Sequence, residues 1–339
     1  ISDLNGNLRL YANKDSIYSG TGSSVSDGRM LVFNEFTNGI LILPVTGDSS
    51  VFMVVYVSAG ICSGVSRCPR IAFVSRNHGT DSLVTQYGLG QYSMVNPIGE
   101  KIAAVMDAGG HGWWILCHGT DDNSFVRFKI DGRVPSSLSV QSIGSQYEYV
   151  GLNPFYSQGE MSFSPQGDKL LAVTLTGVVD VFDFDRCTGQ LSNWLSLGTP
   201  ALQVPGSDTY YGCSFSPDGT KIYVSEENNN QNGTTRLFQW DLLAPNIPAS
   251  KTLIGTTISP MEFGQHQLGP DGKIYIANLA YPLDSTNPNN YYLSVIRDPN
   301  QAVLSYNFVY NGLWLEGHQS TLHLPNLPNY NLAPLVAQN

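Results

Sequence analysis

Charge is what this chain has least of. Asp, Glu, Lys and Arg make up 13% of its 339 residues, roughly half of the ~25% usual in soluble domains. Its surface must therefore be built from Ser, Thr, Asn, Gln and Gly. Positive charge is scarcer still: 17 Lys and Arg stand against 27 Asp and Glu, a net charge of −10. That excludes a broad basic face for nucleic acid. An acidic, amide-rich surface is compatible with Ca²⁺, and no other cofactor is expected. No apolar run reaches the ~18 residues that would span a membrane as a helix. Signal-peptide features are also lacking. The chain opens at Ile1 within what reads as a strand, so a leader and some strands are expected to precede it. The five cysteines form no CxxC pair and no zinc-type spacing with histidine. Cys117 and Cys213 lie in strand-like runs and read as buried thiols. Cys62 and Cys68 flank a short loop and are the disulfide candidate if the protein is exported.

What is present points to strands. The chain has 34 Gly and 19 Pro, hence many turns, and 18 Tyr and 14 Phe, which favour sheets. Three segments repeat one another: Met161-Ser-Phe-Ser-Pro-Gln-Gly-Asp-Lys-Leu, Cys213-Ser-Phe-Ser-Pro-Asp-Gly-Thr-Lys-Ile and His266-Gln-Leu-Gly-Pro-Asp-Gly-Lys-Ile. A looser copy runs from Ser93 to Val105. Their prolines, Pro97, Pro165, Pro217 and Pro270, are 68, 52 and 53 residues apart. Pro44, Pro325 and the turn in Ser2–Leu8 extend the register to seven anchors. In each, proline ends a strand because it cannot donate to a ladder. Asp-Gly then supplies a tight turn, and an apolar strand runs back. The block 161–198 reads as a whole unit: strands at 161–164, 169–176, 178–185 and 191–197, with a turn at Gly177. Four strands every fifty-odd residues are the signature of a propeller. The expected fold is all-β, a β-propeller of about seven four-stranded blades, with residues 1–339 forming one domain. The longest interval is expected to hold an insertion around Gly132–Tyr156, and the last strand to pair with N-terminal material.

The run from Cys213 to Leu279, with Leu237-Phe-Gln-Trp-Asp-Leu and Ser250-Lys-Thr-Leu-Ile-Gly inside it, resembles the N-terminal propeller of large Bacteroidetes surface proteins exported by the type IX secretion system. Those often carry a type B sorting domain. The opening Ile1–Tyr11 and the closing Leu322-His-Leu-Pro-Asn resemble that family's ends. The resemblance implies an extracellular protein of the outer cell surface, serving adhesion, gliding motility or the assembly of a larger surface complex. The chain itself has neither PKD-like repeats nor a sorting domain.

Candidate site residues fall into three sets. Trp113, Trp114, Tyr281, Tyr291, Tyr292 and Trp314 are candidates for an exposed recognition face, because aromatic side chains offer large rigid area at little entropic cost. The partner would be a protein or a cell-surface glycan. Glu160, Gln265, His266, Glu316 and His318 are channel candidates: carboxylate and imidazole groups are the material of acid–base chemistry or metal ligation, if they converge. Glu226 and Glu227, in an acidic and amide-rich segment, are the candidate Ca²⁺ ligands. The leading expectation is a non-catalytic binding module. One alternative is a lactonase-like or lyase-like propeller enzyme using the channel groups. Propeller lactonases share Phe-Ser-Pro-Asp-Gly but place Gly-Pro-Arg-His before such a strand, where this chain has Gln158-Gly-Glu, Tyr210-Tyr-Gly and Phe263-Gly-Gln. A second alternative is a structural subunit of the secretion or gliding apparatus.

Overall fold

The structure is a computed structural model. It describes residues 1–2, 6–13, 16–29, 39–58, 68–77, 80–88, 98–147, 158–198, 209–227, 235–257, 261–280, 287–301 and 307–335. The described residues hold 23 strands and no α-helix. Contacts divide the chain into two compact units.

The first unit comprises residues 1–142, 185–190 and 326–339. Strands β1 (Leu10–Ala12), β2 (Ser16–Ser19) and β3 (Ser24–Arg29) form a small antiparallel ribbon. Next come β4 (Ile40–Val45), β5 (Asp48–Ser58), β6 (Cys68–Asn77) and β7 (Thr80–Gly88), an antiparallel meander that the ribbon joins through a parallel β3–β7 contact. A second meander holds β8 (Ile98–Met106), β9 (Gly112–Gly119), β10 (Ser124–Asp131) and β11 (Val134–Ser142). In β4, Leu41, Leu43 and Val45 alternate inward, the period-2 pattern of a half-buried strand. They meet Ile102, Ala104, Trp113, Ile115 and Cys117 in one core.

The second unit comprises residues 143–184 and 191–325 and holds three meanders of the same order. These are β12 (Met161–Phe163), β13 (Lys169–Val173), β14 (Val179–Asp185) and β15 (Gln190–Ser196); β16 (Thr209–Phe215), β17 (Lys221–Glu227), β18 (Arg236–Asp241) and β19 (Thr252–Thr256); and β20 (Met261–Leu268), β21 (Ile274–Ala280), β22 (Tyr292–Ile296) and β23 (Phe308–Trp314). The first of these reproduces the unit read from 161–198 to within a few residues.

Glycines at positive φ mark the first turn of each meander: Gly47, Gly110, Gly167, Gly219 and Gly272, at φ 70° to 81°. That set corrects the looser repeat. Ile98–Glu100 belongs to β8, so the turn expected there is instead Asp107–His111, where Asp107 Oδ1 accepts from the amides of His111 and Gly112. Pro97 itself lies outside the described residues. The expected insertion around 132–156 is also corrected in its described part: Gly132 is a hairpin turn and Val134–Ser142 is the fourth strand of its sheet. Ile1 is not in a strand, and the chain begins with a Ser2–Leu8 bridge.

The seventh anchor, Pro325, is not followed by a strand among the described residues. Its segment runs along the first strand of the last sheet: the Gln265 amide donates to Leu322 O at 2.8 Å, and the Leu324 amide donates to Gln265 Oε1 at 2.8 Å. Within the first unit, the segment from 326 onwards contacts first strands in the same way. Asn326 donates to Ile102 O, Tyr330 to Ile42 O, and the Leu335 amide to Ala108 O.

Candidate functional site

The channel set separates into two places. Glu160, Gln265 and His266 do come together, on the first strands of the second unit. Each first strand is irregular at the same repeat position. Register shifts fall between Tyr210 and Cys213 in β16 and between Phe263 and His266 in β20, while Gly159, at φ 142°, interrupts the chain before β12. A bulge leaves a ladder amide without its partner. The Glu160 carboxylate accepts both freed amides, from Cys213 at 2.7 Å and His266 at 3.0 Å, through Oε2. The chains approach closely enough that a Cβ on Gly212 would sit 2.0 Å from Gly264 O. Only glycine fits there.

The His266 ring is held between two hydroxyls, Ser225 Oγ at 2.6 Å from Nε2 and Ser214 Oγ at 3.2 Å from Nδ1. Burial drives its pKa down to about 3, so the imidazole is neutral at ordinary pH. Glu160, Gln265 and His266 are all buried. These groups serve backbone amides and serine hydroxyls of the second unit.

Glu316 and His318 are not there. They lie exposed on the turn after β23, beside the aromatic candidates. Tyr292 and Trp314 are directly opposed partners of β22 and β23, so their side chains share one face of the sheet. Trp314 is 58% exposed. The Tyr291 carbonyl accepts the Leu315 amide at 2.8 Å. Glu316 sits at φ 52° and Asn311 at φ 52°, an uncommon region for residues other than glycine. The two bracket Trp314.

An amide network, buried at Asn278, Asn290 and Ser294, holds this corner, and the sequence reading missed it. Ser294 Oγ donates to Asn278 Oδ1, Asn278 Nδ2 to Asn311 Oδ1 and Asn311 Nδ2 to Asn289 Oδ1, at 2.8, 2.9 and 2.8 Å. Asn290 closes a two-way bond with the backbone of Ala280. A short 3-10 turn, Pro288–Tyr291, presents these amides, with Asn287 capping it. The run Asn287-Pro-Asn-Asn carried the signal: amide side chains next to proline cap and build turns.

Other expectations are corrected. Trp113 and Trp114 are buried in β9, whose eight residues are all buried. Trp113 donates to Pro44 O at 3.1 Å and Trp114 to Arg186 O at 2.9 Å. A second strand covered on both faces buries successive residues rather than alternate ones. Glu226 is not in a loop: it lies within β17, buried and ion-paired with Arg236. Glu227 is raised to about 7 by burial and by the charge of Glu262. Among the described residues no three His, Cys, Asp or Glu gather as metal ligands. Tyr281 and Cys62 lie outside the described residues, and of Cys68 the structure places only the strand β6. Cys117, Cys187 and Cys213 are free thiols, the first and last buried.

Among the described residues of the first unit, a cleft of about 410 Å³ is lined by Asp107, His111, Lys129, Asp131, Arg186 and Cys187 among others. Its cations are already spent. The Lys129 ammonium sits 2.7 Å from Asp107 and 3.2 Å from Asp131. The Arg186 guanidinium donates to the carbonyls of Met106, Asp107 and Ala333.

Consecutive four-stranded meanders, each opened by the same glycine turn, are the construction of one fold. The Dos1 propeller superposes on 91% of this chain, which covers 66% of that one, with a TM-score of 0.51 at 13% identity. The fold is a β-propeller. The propeller domain of Cps50 (Swd1) from Myceliophteria thermophila also aligns, at 14% identity over 82% of this chain and 78% of that one, TM-score 0.46. A putative 6-phosphogluconolactonase from Bacteroides fragilis aligns at 16% identity over 90% and 81%, TM-score 0.44. At such identities the propeller likeness extends to the fold alone. No family model matches the chain, and no curated protein matches it. No helix among the described residues is long and apolar enough to cross a membrane.

Proposed function

We propose that this propeller is a non-catalytic binding module, exported to the outer cell surface, and that it recognises its partner through the corner of Tyr291, Tyr292 and Trp314. One observation carries the reading. The exposed indole of Trp314 lies in register with Tyr292 on a scaffold of hydrogen-bonded amides. An aromatic group left in water on a rigid support is the arrangement of a binding hot spot. The inner carboxylate and imidazole support it from the other side. Glu160 and His266, the pair on which an enzyme would depend, serve backbone amides and serine hydroxyls. The surface location follows the resemblance to type IX cargo propellers and agrees with the acidic, charge-poor composition.

The count of about seven blades belongs to this proposal. Four four-stranded sheets, and one seven-stranded sheet made of the β4–β7 meander and the β1–β3 ribbon, account for six of them among the described residues. A crystal structure that closes with six would correct it.

The test compares retention of the labelled chain on whole bacterial cells with that of a Y291A/Y292A/W314A variant. Retention should fall at least tenfold while the urea unfolding midpoint stays unchanged. Undiminished retention by the variant would end the reading. So would turnover of a sugar lactone that E160Q abolishes.

A further inference from the structure

The corner also indicates what kind of molecule it takes. We infer that it binds a neutral, gluco-configured oligosaccharide, stacked on Trp314; this rests on the binding role just proposed. A pyranose with equatorial hydroxyls presents a flat face of axial C–H groups. Such a face packs on an indole and leaves its hydroxyl rim in reach of polar side chains. Trp314 is open to water over more than half its surface, and Tyr292 stands on the same face. Within five residues of the indole follow Glu316, His318 and Gln319, all exposed. Carboxylate, imidazole and amide together provide acceptors and donors for neighbouring hydroxyl pairs.

Two features oppose a strand-shaped peptide. β23 is the outer strand of its sheet, so its edge would be the docking line. That edge is broken by the register shift between Leu293 and Val295 and by Asn311 at φ 52°. A bulged edge does not template a regular ladder. Charge opposes an acidic sugar. Arg297 is the single Lys or Arg of residues 287–320. It follows the far end of β22, and Tyr292 opens that strand, which puts the two about 17 Å apart along an extended chain. Glu316, two residues after Trp314, is the acidic residue of the exposed turn that follows.

The probes are cellohexaose and chitohexaose as neutral gluco-configured chains, with a heparin hexasaccharide as the anionic control. Calorimetric titration of the whole chain should show binding of a neutral probe and none of heparin. W314A should weaken that binding at least tenfold and E316Q several-fold. W194F, which alters the other exposed tryptophan, should leave it unchanged. Because Trp314 is exposed, W314A should keep the wild-type unfolding midpoint, so lost binding is not lost folding. Binding of heparin alone, or of neither neutral probe at millimolar concentration, overturns the inference. Protease treatment of the cells and competition by free cellohexaose and chitohexaose in the retention assay separate this failure from that of the binding role. Retention lost to protease but displaced by neither sugar means a protein partner: the sugar assignment then falls and the binding role stands. Retention displaced by a neutral sugar supports both.

Discussion

Glu160 shows how one side chain can hold a fold at a point where its backbone ladder fails. Its carboxylate oxygen takes two amides released by bulges in two different strands. Charge-assisted bonds of this kind contribute about 1.5–3 kcal/mol, and a buried amide left bare costs about 1–3 kcal/mol. Glu160→Gln keeps an acceptor and should cost about 1 kcal/mol. Glu160→Ala bares both amides and should cost about 2–4 kcal/mol, read as a drop in the urea midpoint at unchanged slope. Equal effects from the two variants would show that the carboxylate is not the element that matters. Arg186 has the complementary role in the first unit, donating to three carbonyls from a buried position.

At the scale of an element, the outer strands are where sheets lack a neighbour on one side. β19 shows how one of them is held. Lys251, just before it, places its ammonium 4.1 Å from the Phe238 ring centre, 5.2 Å from Trp240 and 5.4 Å from Tyr210, and donates to the Tyr210 hydroxyl at 3.0 Å. A cation over aromatic faces contributes about 0.5–2 kcal/mol according to how dry it is. Lys251→Met keeps the aliphatic stem and loses the charge, so it should lower stability by about 1 kcal/mol and speed hydrogen exchange in β19 before the rest of its sheet. Lys251→Arg should restore most of the loss. Uniform exchange across the sheet would refute the local role.

For the whole molecule, buried titratable groups set opposing trends with pH. His118 and His266 are each pushed down to about 3 by burial, from an ordinary value of 6.5. The unfolded chain therefore takes up protons first as pH falls, and their contribution is complete above about 6.5 and lost toward 3. Glu227 is raised to about 7 from 4.5. Its contribution is complete below about 4.5 and lost as pH rises through 7. Two histidines outweigh the single carboxyl, so between about pH 5 and 6.5 the rise is only partly offset. Urea titrations should find stability rising with pH there in the native chain and levelling near about 7. Glu227→Gln should steepen that rise. A variant profile parallel to that of the native chain would show that Glu227 ionises normally.

Local chemistry was legible wherever one segment decided the outcome. Turn chemistry and alternating strands in 161–198 specified a four-stranded meander, and the repeat made it a propeller, because proline, Asp-Gly and alternation act within a few residues. The Pro97 motif misled for the same reason. Two turn signals lie close together there, and only strand pairing selects Asp107–His111. Burial of Trp113 and Trp114 was decided by cover on both faces of β9, which no periodicity within the strand records. The sequence by itself determined the fold class, the four-stranded unit and the aromatic, acidic and amide residues available for recognition. Only the tertiary structure decided which of them meet. Long-range pairing carried Glu160 to the amides of Cys213 and His266, and it set Tyr292 against Trp314 with Glu316 and His318 on the following turn. Such partners are brought together by strand register and close backbone approach, and spacing along the chain does not encode either.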